Sequence, residues 1–447
     1  MDVGTQYQVG DRILTLGSPE SQVLLEHAHA RSVRPMCLCA APAIAMYIAC
    51  VNKRFIVKRM PNSGHLHHPS CESFGLRPED SGLGQVQDAI VESPSGEIEV
   101  SLDFALGANS GAAVDRSTGT PSAVLTSDRA TISLLGLMHL WWDRCEFNVW
   151  HPKMENKRFW GLIRGHLMDQ AVQTEAKGSK LSARLYLPER FDKTAKLEIE
   201  SRRKAWFDKL RSPHSHANRS MFGIIFGELK ELLDTPAGET FLVLKNIWDM
   251  SFPLGDKLTQ QFRKRFADEL SALLVMKAPI RLLVAFTIEA PPEGIVQIHT
   301  ITMMMVTKDG WIPVRSQYER LMAERLTADR RHFVKPLSFD GPRKTGFANF
   351  LLTDMGNEVV TLDIVGDSPN KQDTAAKLAA ISQRPSGAWV WNVNEYQGPP
   401  TLPHPSALLG SIEPAHRQTD ELDISPPLPA PWNAAIGNVE AADTQQS

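Results

Sequence analysis

Apolar and polar positions follow, along most of the chain, the two periods that distinguish strands from helices. Apolar runs over 45–50 and 54–59 predict two paired strands near the N-terminus. Apolar residues recur every three or four positions over 131–176 and 256–276, which predicts helices with one buried face. Further apolar runs between 280 and 306 predict two long strands. The pattern therefore predicts a chain that mixes helices and sheets.

From residue 311 onward the pattern predicts a separate α/β unit. Its apolar segments are short, and polar or glycine-containing turns divide them. The predicted order is a helix, three strands, a helix and a strand, over 317–326, 332–339, 347–354, 358–366, 371–384 and 388–393. This order is specific enough to compare with known folds.

Shifts in composition divide the 447 residues into five predicted regions. They are a β-rich N-terminal domain with a zinc-binding hairpin (1–130), a helical, tryptophan-rich middle (131–220), an α/β unit (221–310), a second α/β unit (311–400) and an acidic, proline-rich tail predicted to be disordered (401–447). The hydrophobic share of 42% is enough for several cores. The predicted fold class is a multidomain α+β and α/β protein.

Charge and cysteine content exclude several functional classes. A net charge of −3 provides no global basic field, so any contact with DNA must come from a local patch. Five cysteines are an odd number and too few for a disulfide framework. No apolar run reaches the roughly 18 residues that a membrane span requires, and the first residues lack the regions of a signal peptide. We therefore expect a cytoplasmic protein without a membrane partner.

The densest group of potential metal ligands lies on either side of the predicted hairpin. Cys37 and Cys39 precede it, and His67, His68 and Cys71 follow it. Zinc prefers four tetrahedral sulfur and nitrogen ligands, and a closed site of this kind folds a segment that lacks its own core. We predict a structural zinc site made by the three cysteines and either histidine. The alternatives are exposed histidines that bind nothing and an open catalytic zinc.

The C-terminal order of elements resembles the core of the PD-(D/E)xK, or restriction-endonuclease-like, nucleases. In those enzymes a helix glutamate and two strand carboxylates hold Mg²⁺, which activates water. The resemblance carries these roles to Glu319, Asn349 and Asp363. Asparagine stands at 349 where the family has aspartate, and Val365 stands where a lysine is usual. The resemblance implies a nuclease-like domain with an incomplete catalytic set, and it leaves Mg²⁺ binding and enzyme activity open.

Nearby residues are candidates to replace the missing groups. Lys371 and Lys377 lie on the helix after the last carboxylate strand and are candidates for the absent lysine. Asp340 and Asp354 lie on either side of Asn349 and are candidates for the absent carboxylate. Because these assignments rest on closeness in sequence, the fold decides which of them reach the site.

Short motifs spread over about residues 10–400 resemble an uncharacterised bacterial domain-of-unknown-function family found largely on plasmids and integrative elements. The motifs are Cys37-Leu38-Cys39, Lys58-Arg59-Met60-Pro61, Ser81-Gly82-Leu83-Gly84, Leu135 to Trp141, Gly227-Glu228-Leu229-Lys230, Lys335-Pro336-Leu337 and Trp389-Val390-Trp391. This resemblance implies an architecture and a mobile-element context, and it implies no particular activity.

Two functions are compatible with these features. The first is a nucleic-acid-associated protein of bacterial mobile elements that binds DNA and carries a structural zinc site and a degenerate nuclease-like domain. The second is a non-enzymatic scaffold in which zinc supports contacts with other proteins. Asn349, Val365 and the small net charge favour the second function. The sequence identifies neither a DNA target nor a protein partner.

Overall fold

The computed structural model of the chain describes most of the residues up to 405. The described ranges are 6–15, 19–51, 54–60, 63–93, 96–109, 130–211, 219–274, 277–291, 294–340, 346–367, 371–384, 388–396 and 398–405. Over these ranges helices and several sheets are mixed, which confirms the predicted α+β character.

Eight α-helices lie within the described ranges. They are α1 (Pro19–Ala30), α2 (Leu134–Arg144), α3 (Trp160–Gln173), α4 (Lys196–Arg211), α5 (Asp256–Arg265), α6 (Ala267–Leu274), α7 (Gln317–Ala328) and α8 (Lys371–Ser382). The predicted helix over 256–276 is divided into α5 and α6 at Phe266, whose ring turns into the core beside Phe262.

The strands of the described ranges are short except in the centre of the chain. They are β1 (Gln6–Val9), β2 (Arg12–Thr15), β3 (Met36–Cys37), β4 (Ile44–Val51), β5 (Arg54–Arg59), β6 (Ile90–Glu92), β7 (Ile98–Val100), β8 (Gly107–Asn109), β9 (Val149–Trp150), β10 (Thr174–Ala176), β11 (Ser179–Lys180), β12 (Leu185–Tyr186), β13 (Arg219–Met221), β14 (Gly223–Asp234), β15 (Thr240–Leu244), β16 (Phe252–Leu254), β17 (Ile280–Glu289), β18 (Gln297–Thr307), β19 (Pro313–Val314), β20 (Phe333–Val334), β21 (Phe350–Met355), β22 (Glu358–Val365) and β23 (Trp389–Asn392).

The described strands form five sheets, of which two position the candidate sites. The N-terminal sheet has the order β2-β1-β3-β4-β5, and the predicted hairpin is its β4 and β5. The C-terminal sheet has the order β23-β22-β21-β20-β9. A seven-stranded sheet centred on β14, β17 and β18 lies between them in sequence, with smaller sheets formed by β6, β7, β10 and β11 and by β8 and β13.

In the C-terminal sheet, β20, β21 and β22 pair antiparallel, and β22 pairs parallel with β23. The parallel pair is possible because α8 crosses from the end of β22 to the start of β23. Helix α7 precedes the three antiparallel strands. A short strand from the middle of the chain, β9, extends the sheet by pairing with β20.

The N-terminal sheet is covered by α1. The side chain of Gln22 on α1 donates to the carbonyl oxygen of Phe55 and accepts from its N–H, both at 2.9 Å. This pairing satisfies backbone groups of β5, which is the edge strand of the sheet. Leu25 of the same helix is fully buried against β3 and β4.

Three hydrophobic clusters form the interior of the described chain. The first joins the seven-stranded sheet to the C-terminal sheet and includes Phe286 and Trp391. The second lies around α2 and α3, includes Trp142 and extends to residues of β14, β17 and β18. The third is small, fills the N-terminal sheet and includes Cys37 and Cys71. The division into domains at 130, 220 and 310 stays a prediction.

The first residues of the predicted acidic tail belong to the folded body. Leu402 is buried in the first cluster, and Trp389 donates to the carbonyl oxygen of Thr401 at 2.9 Å. Arg331 donates to the carbonyl oxygen of Pro403 at 2.7 Å. These contacts hold the segment against the C-terminal sheet, which the proline-rich composition did not predict. The remainder of the predicted tail, 406–447, lies outside the described residues.

The N-terminal region contacts the C-terminal unit closely at Gly82. Its N–H donates to the carbonyl oxygen of Leu337, and a Cβ at this position would lie 2.0 Å from the carbonyl oxygen of Ser338. We expect Gly82→Ala to destabilise the protein by about 2 kcal/mol or more, because one backbone must move away from the other. Urea denaturation measures the change.

The matched control for this prediction is Gly165→Ala. Gly165 is exposed within α3, and a Cβ there would meet nothing within 4 Å. Alanine in a helix interior is favoured over glycine, so this variant should gain about 0.5–1 kcal/mol. Equal effects of the two substitutions would contradict the close contact at Gly82.

Candidate functional site

Four of the predicted metal ligands come together beside the N-terminal sheet. They are Cys37, Cys39, His67 and Cys71. The two from the first pair lie at the end of β3 and just beyond it, and the other two lie in the loop after β5. The loop folds back on itself because Gly64 approaches Gly75, where a Cβ on Gly64 would lie 2.8 Å from the Cα of Gly75. Two glycines therefore allow the turn that presents the second pair.

The spacing of the ligand atoms fits a tetrahedral metal ion. The Sγ atoms of Cys37 and Cys71 are 3.8 Å apart, and the Nδ1 of His67 lies 3.3 Å from the Sγ of Cys39 and 3.7 Å from that of Cys71. All four ligand atoms lie within 4.8 Å of one another. A zinc ion with Zn–S of about 2.3 Å and Zn–N of about 2.0–2.1 Å holds its ligands about 3.5–3.8 Å apart. The cluster can therefore hold a metal ion such as zinc.

In the absence of a bound metal ion, the surroundings of the cluster favour a protonated thiol at Cys71. A hydrogen bond with Cys37 and burial raise the pKa of the Cys71 thiol to about 12. A bound divalent metal ion reverses this preference, because it binds the thiolate and releases the proton. Cys37 is fully buried and His67 is 2% exposed, so a bound ion would be largely shielded from water.

His68, the alternative histidine ligand, turns away from the cluster. Its Nδ1 lies 2.7 Å from the Oγ of Ser70, and its Nε2 lies 2.9 Å from the Oδ1 of Asn357 in the turn between β21 and β22. The adjacent residue His67 is the one that faces the three cysteines. The fold thus distinguishes the two histidines, and the role of each in metal binding stays a prediction.

Glu319, the predicted helix carboxylate of the C-terminal unit, is buried at the start of α7. Ser316 caps this helix by accepting from the N–H of Glu319 at 3.2 Å, and the Oε2 of Glu319 accepts from the N–H of Arg315 at 2.8 Å. Its Oε1 accepts from the Nζ of Lys335 at 3.0 Å and from the Nδ2 of Asn349 at 2.7 Å. The carboxylate therefore holds the backbone just before the helix cap and forms a buried ion pair.

The charges around Glu319 determine its protonation. Burial on its own raises the pKa of Glu319, but the cations Lys335 and Arg315 outweigh burial and hold that pKa well below its usual range. Burial lowers the pKa of Lys335, and repulsion by Arg315 acts in the same direction, whereas Glu319 opposes both. Lys335 and Arg315 therefore keep the carboxylate of Glu319 ionised.

Asn349, immediately before β21, forms hydrogen bonds through both the nitrogen and the oxygen of its side-chain amide. The Nδ2 donates to Glu319, and the Oδ1 accepts from the N–H of Ile364 at 2.9 Å and from the Nζ of Lys377. An aspartate here could not donate to Glu319 and would place two carboxylates in contact. Asparagine therefore suits a site that contains lysine rather than a metal ion.

Asp363 lies on β22 directly across from Asn349. The register that pairs Phe350 with Leu362 places Asn349 and Asp363 as neighbours on one face of the sheet. Asp363 is fully buried, and its Oδ2 accepts from the Nη1 of Arg384. Its Oδ1 is buried without a hydrogen-bond partner among the described residues. The structure thus brings the three predicted catalytic residues into one cluster.

Two other predicted candidates do not join this cluster. Asp354 forms a buried pair with Arg331, with contacts of 2.7 and 2.8 Å. Asp340 accepts from the backbone and hydroxyl of Ser133 at the start of α2. Both acids have structural partners elsewhere, so neither replaces the missing carboxylate. The side chain of Lys371 lies outside the described residues.

Sequence reasoning did not place Lys335 or Arg384 in this cluster. Lys335 is 2% exposed and follows the buried strand β20 in an otherwise apolar run. A lone lysine in a buried run signals a buried acidic partner, so this residue was detectable. Arg384 comes after the end of α8, and no local pattern indicates that it reaches Asp363.

Fold and site define a mixed α+β protein with a candidate Cys₃His metal centre. The chain belongs to the family described as Protein of unknown function (DUF1173), whose model matches residues 7–394. This confirms the predicted membership in a family of unknown function, and the plasmid context stays a prediction. The comparisons with curated proteins and with solved structures gave no match.

Within the described part of the chain, none of the helices combines the length and the apolar character that crossing a bilayer requires. The cytoplasmic location stays a prediction.

Proposed function

We propose that the protein is a nucleic-acid-associated protein of bacterial mobile elements, in which a structural zinc centre supports a nuclease-like unit that does not cleave. The observation that carries this proposal is the buried ion pair of Glu319 and Lys335, 3.0 Å apart. It lies where the nuclease resemblance expects a carboxylate that binds Mg²⁺.

The arrangement of the C-terminal unit supports the nuclease resemblance. A helix with an inward glutamate is followed by three antiparallel strands, a second helix and a parallel strand. The predicted catalytic positions, Glu319, Asn349 and Asp363, lie on the helix, just before β21 and on β22, and they meet in one buried cluster. Convergence of three distant positions is what the resemblance requires.

The chemistry of the cluster argues against metal-dependent cleavage. Mg²⁺ requires oxygen ligands that are free to bind it, and it usually retains several waters. Here Glu319 is engaged by Lys335 and Asn349, and Asp363 is engaged by Arg384. The neutral Asn349 also removes one of the negative charges that a divalent ion needs. We therefore propose a unit that has kept the architecture of a nuclease without its activity.

Cations in this cluster provide a reason to propose contact with nucleic acid. Arg315 is about one-third exposed, and Lys377 and Arg384 are half-buried on the same side of the sheet. Basic side chains that contact phosphates supply most of the sequence-independent affinity for DNA. A nuclease-like unit with such cations can hold a phosphate backbone without hydrolysing it.

The N-terminal cluster supports a structural role for zinc. Four protein ligands complete a tetrahedron and leave no position for a reacting water. The third hydrophobic cluster around it is small, so a metal ion would supply stability that this core lacks. The centre is therefore proposed as a clip that holds the loop after β5 to β3.

The proposal predicts that the native protein cleaves neither DNA nor RNA in Mg²⁺ or Mn²⁺. Asn349→Asp alone should also remain inactive, because Lys335 and Arg384 still engage the carboxylates. A plasmid-nicking and single-strand cleavage assay with both metals measures this. Metal-dependent cleavage by the native chain that Glu319→Gln abolishes would overturn the proposal.

A second candidate function is a scaffold for other proteins, and the charge pairing in the basic segment 190–211, which includes α4, favours it. Its cations are paired with acids, as in Arg202 with Glu189 at 2.8 Å and Lys204 with Asp208 at 2.5 Å. These pairs use part of the positive charge that the segment would otherwise offer to phosphates. Salt-dependent DNA binding in a fluorescence titration supports the first function. Its absence, together with retained folding, supports the scaffold.

A further inference from the structure

We infer that the ammonium group of Lys377 occupies the place of a divalent cation, so that the C-terminal unit contains a latent metal site closed by its own side chain. This inference rests on the proposed function, and it concerns how the site became independent of metal. The ligand class is a hard divalent cation such as Mg²⁺ or Mn²⁺.

Lys377 contacts one of the oxygen atoms that such a cation would use. Its Nζ contacts the Oδ1 of Asn349. The negative charges that favour the ammonium form belong, in decreasing order, to Asp363, Asp367 and Glu319. These groups come from α7, β22 and the segment that follows β22, and Lys377 reaches them from α8. The ammonium group is therefore attracted by acids from three separate segments.

A carboxylate oxygen of Asp363 that has no hydrogen-bond partner among the described residues is independent support for a cation site beside Asn349. Asp363 is 0% exposed, and its Oδ1 has no hydrogen-bond partner among the described residues. A buried carboxylate oxygen without a partner is costly unless a cation is close. Arg384 engages only the Oδ2. The free oxygen and the Oδ1 of Asn349 belong to cross-strand neighbours, so one ion between them would be bound by both.

Lys377, rather than Lys335, is the residue that closes the site. Lys335 is 2% exposed, lies between Glu319 and the carbonyl oxygen of Pro336, and cannot leave without exposing a buried carboxylate. Lys377 is half-buried on α8 at the solvent side of the cluster. Burial lowers the pKa of Lys377, so holding its charge here is unfavourable unless the acids remain beside it. Its removal would take one positive charge from the cluster and would free the Oδ1 of Asn349 from its contact with the ammonium group.

The test is Mn²⁺ binding to the zinc-loaded, full-length chain, measured by electron paramagnetic resonance. Lys377→Met should bind one additional Mn²⁺ at least tenfold more tightly than the native chain, and Asn349→Asp with Lys377→Met should bind it more tightly still. Lys377→Arg is the matched control, because it keeps a cation and should behave like the native chain. Asp363→Asn in the Lys377→Met background should abolish the new site.

A variant that does not fold must be distinguished from a folded variant that does not bind Mn²⁺. Circular dichroism and thermal unfolding are recorded for each variant, and Lys377→Gln serves as a second neutral variant if Lys377→Met does not fold. A folded neutral variant that binds no more Mn²⁺ than the native chain overturns the latent site and leaves the proposed non-cleaving function intact. Tight Mn²⁺ binding by the native chain at Asp363 also overturns it. Native cleavage in Mg²⁺, in contrast, would overturn the proposed function itself.

Discussion

Cys37→Ser is expected to abolish stoichiometric metal binding and to unfold the region around the N-terminal sheet. Cys37 is fully buried between β1 and β4, and its Sγ lies 3.8 Å from that of Cys71. Apparent binding free energies for structural zinc reach about 10–16 kcal/mol in small zinc-finger peptides, where folding depends on the metal. Because the sheet has some core of its own, we expect a loss of several kcal/mol. Metal analysis and hydrogen exchange over 30–75 measure the effect.

Cys50→Ser is the matched control for this substitution. Cys50 lies on β4 near Cys37 in sequence, but it is exposed and outside the cluster. The control should keep the full metal content and native stability. If the two serine variants retain the same metal content, the proposed ligand set is wrong.

Lys335→Met is expected to cost about 3–5 kcal/mol of folding stability. Lys335 and Glu319 are both nearly inaccessible to solvent, so the substitution leaves the Glu319 carboxylate buried and weakly compensated. Removal of one partner of a buried ion pair is far more costly than loss of an exposed pair. Urea denaturation of the full-length chain measures the change.

Two further variants identify the cause of this loss. Lys204→Met breaks an exposed pair with Asp208 on α4 and should cost less than about 1 kcal/mol. Glu319→Gln added to Lys335→Met should recover part of the stability, because it removes the uncompensated charge. Equal costs for Lys335→Met and Lys204→Met would contradict the buried pair.

The same pair predicts a direction of pH dependence. The pKa of Glu319 is lower in the folded chain than in the unfolded chain. Its contribution to stability is therefore complete above the unfolded value of about 4.3 and is lost as the pH falls toward the folded value. Glu319→Gln should weaken this acid dependence. The pH dependence of unfolding therefore tests the buried pair independently of the Lys335→Met variant.

The N-terminal site was largely predictable because its ligands are close in sequence. The three cysteines and two histidines flank a hairpin whose strands follow from local apolar runs. The choice between His67 and His68 was not predictable, because the partner that holds His68 is Asn357, 289 positions further along the chain. Such a contact depends on how β21 and β22 approach the N-terminal sheet, and local patterns carry no information about it.

The C-terminal cluster was predictable in its elements but not in its charges. The helices and strands follow from apolar periodicity. Lys335 and Arg384 reach the carboxylates, and Lys377 reaches Asn349, only after separate segments fold together. Sequence spacing alone suggested an incomplete catalytic set, whereas the fold adds the cations that engage it.

The most direct test of the central claim, a Cys₃His zinc centre in the N-terminal sheet, is zinc K-edge absorption spectroscopy on the purified full-length chain together with metal analysis. We predict one zinc per chain, bound by three sulfur atoms at about 2.3 Å and one nitrogen atom at about 2.0–2.1 Å, with the nitrogen contribution lost in His67→Ala and kept in His68→Ala. A chain without stoichiometric metal, a shell of oxygen and nitrogen alone, or a nitrogen contribution lost in His68→Ala would contradict it.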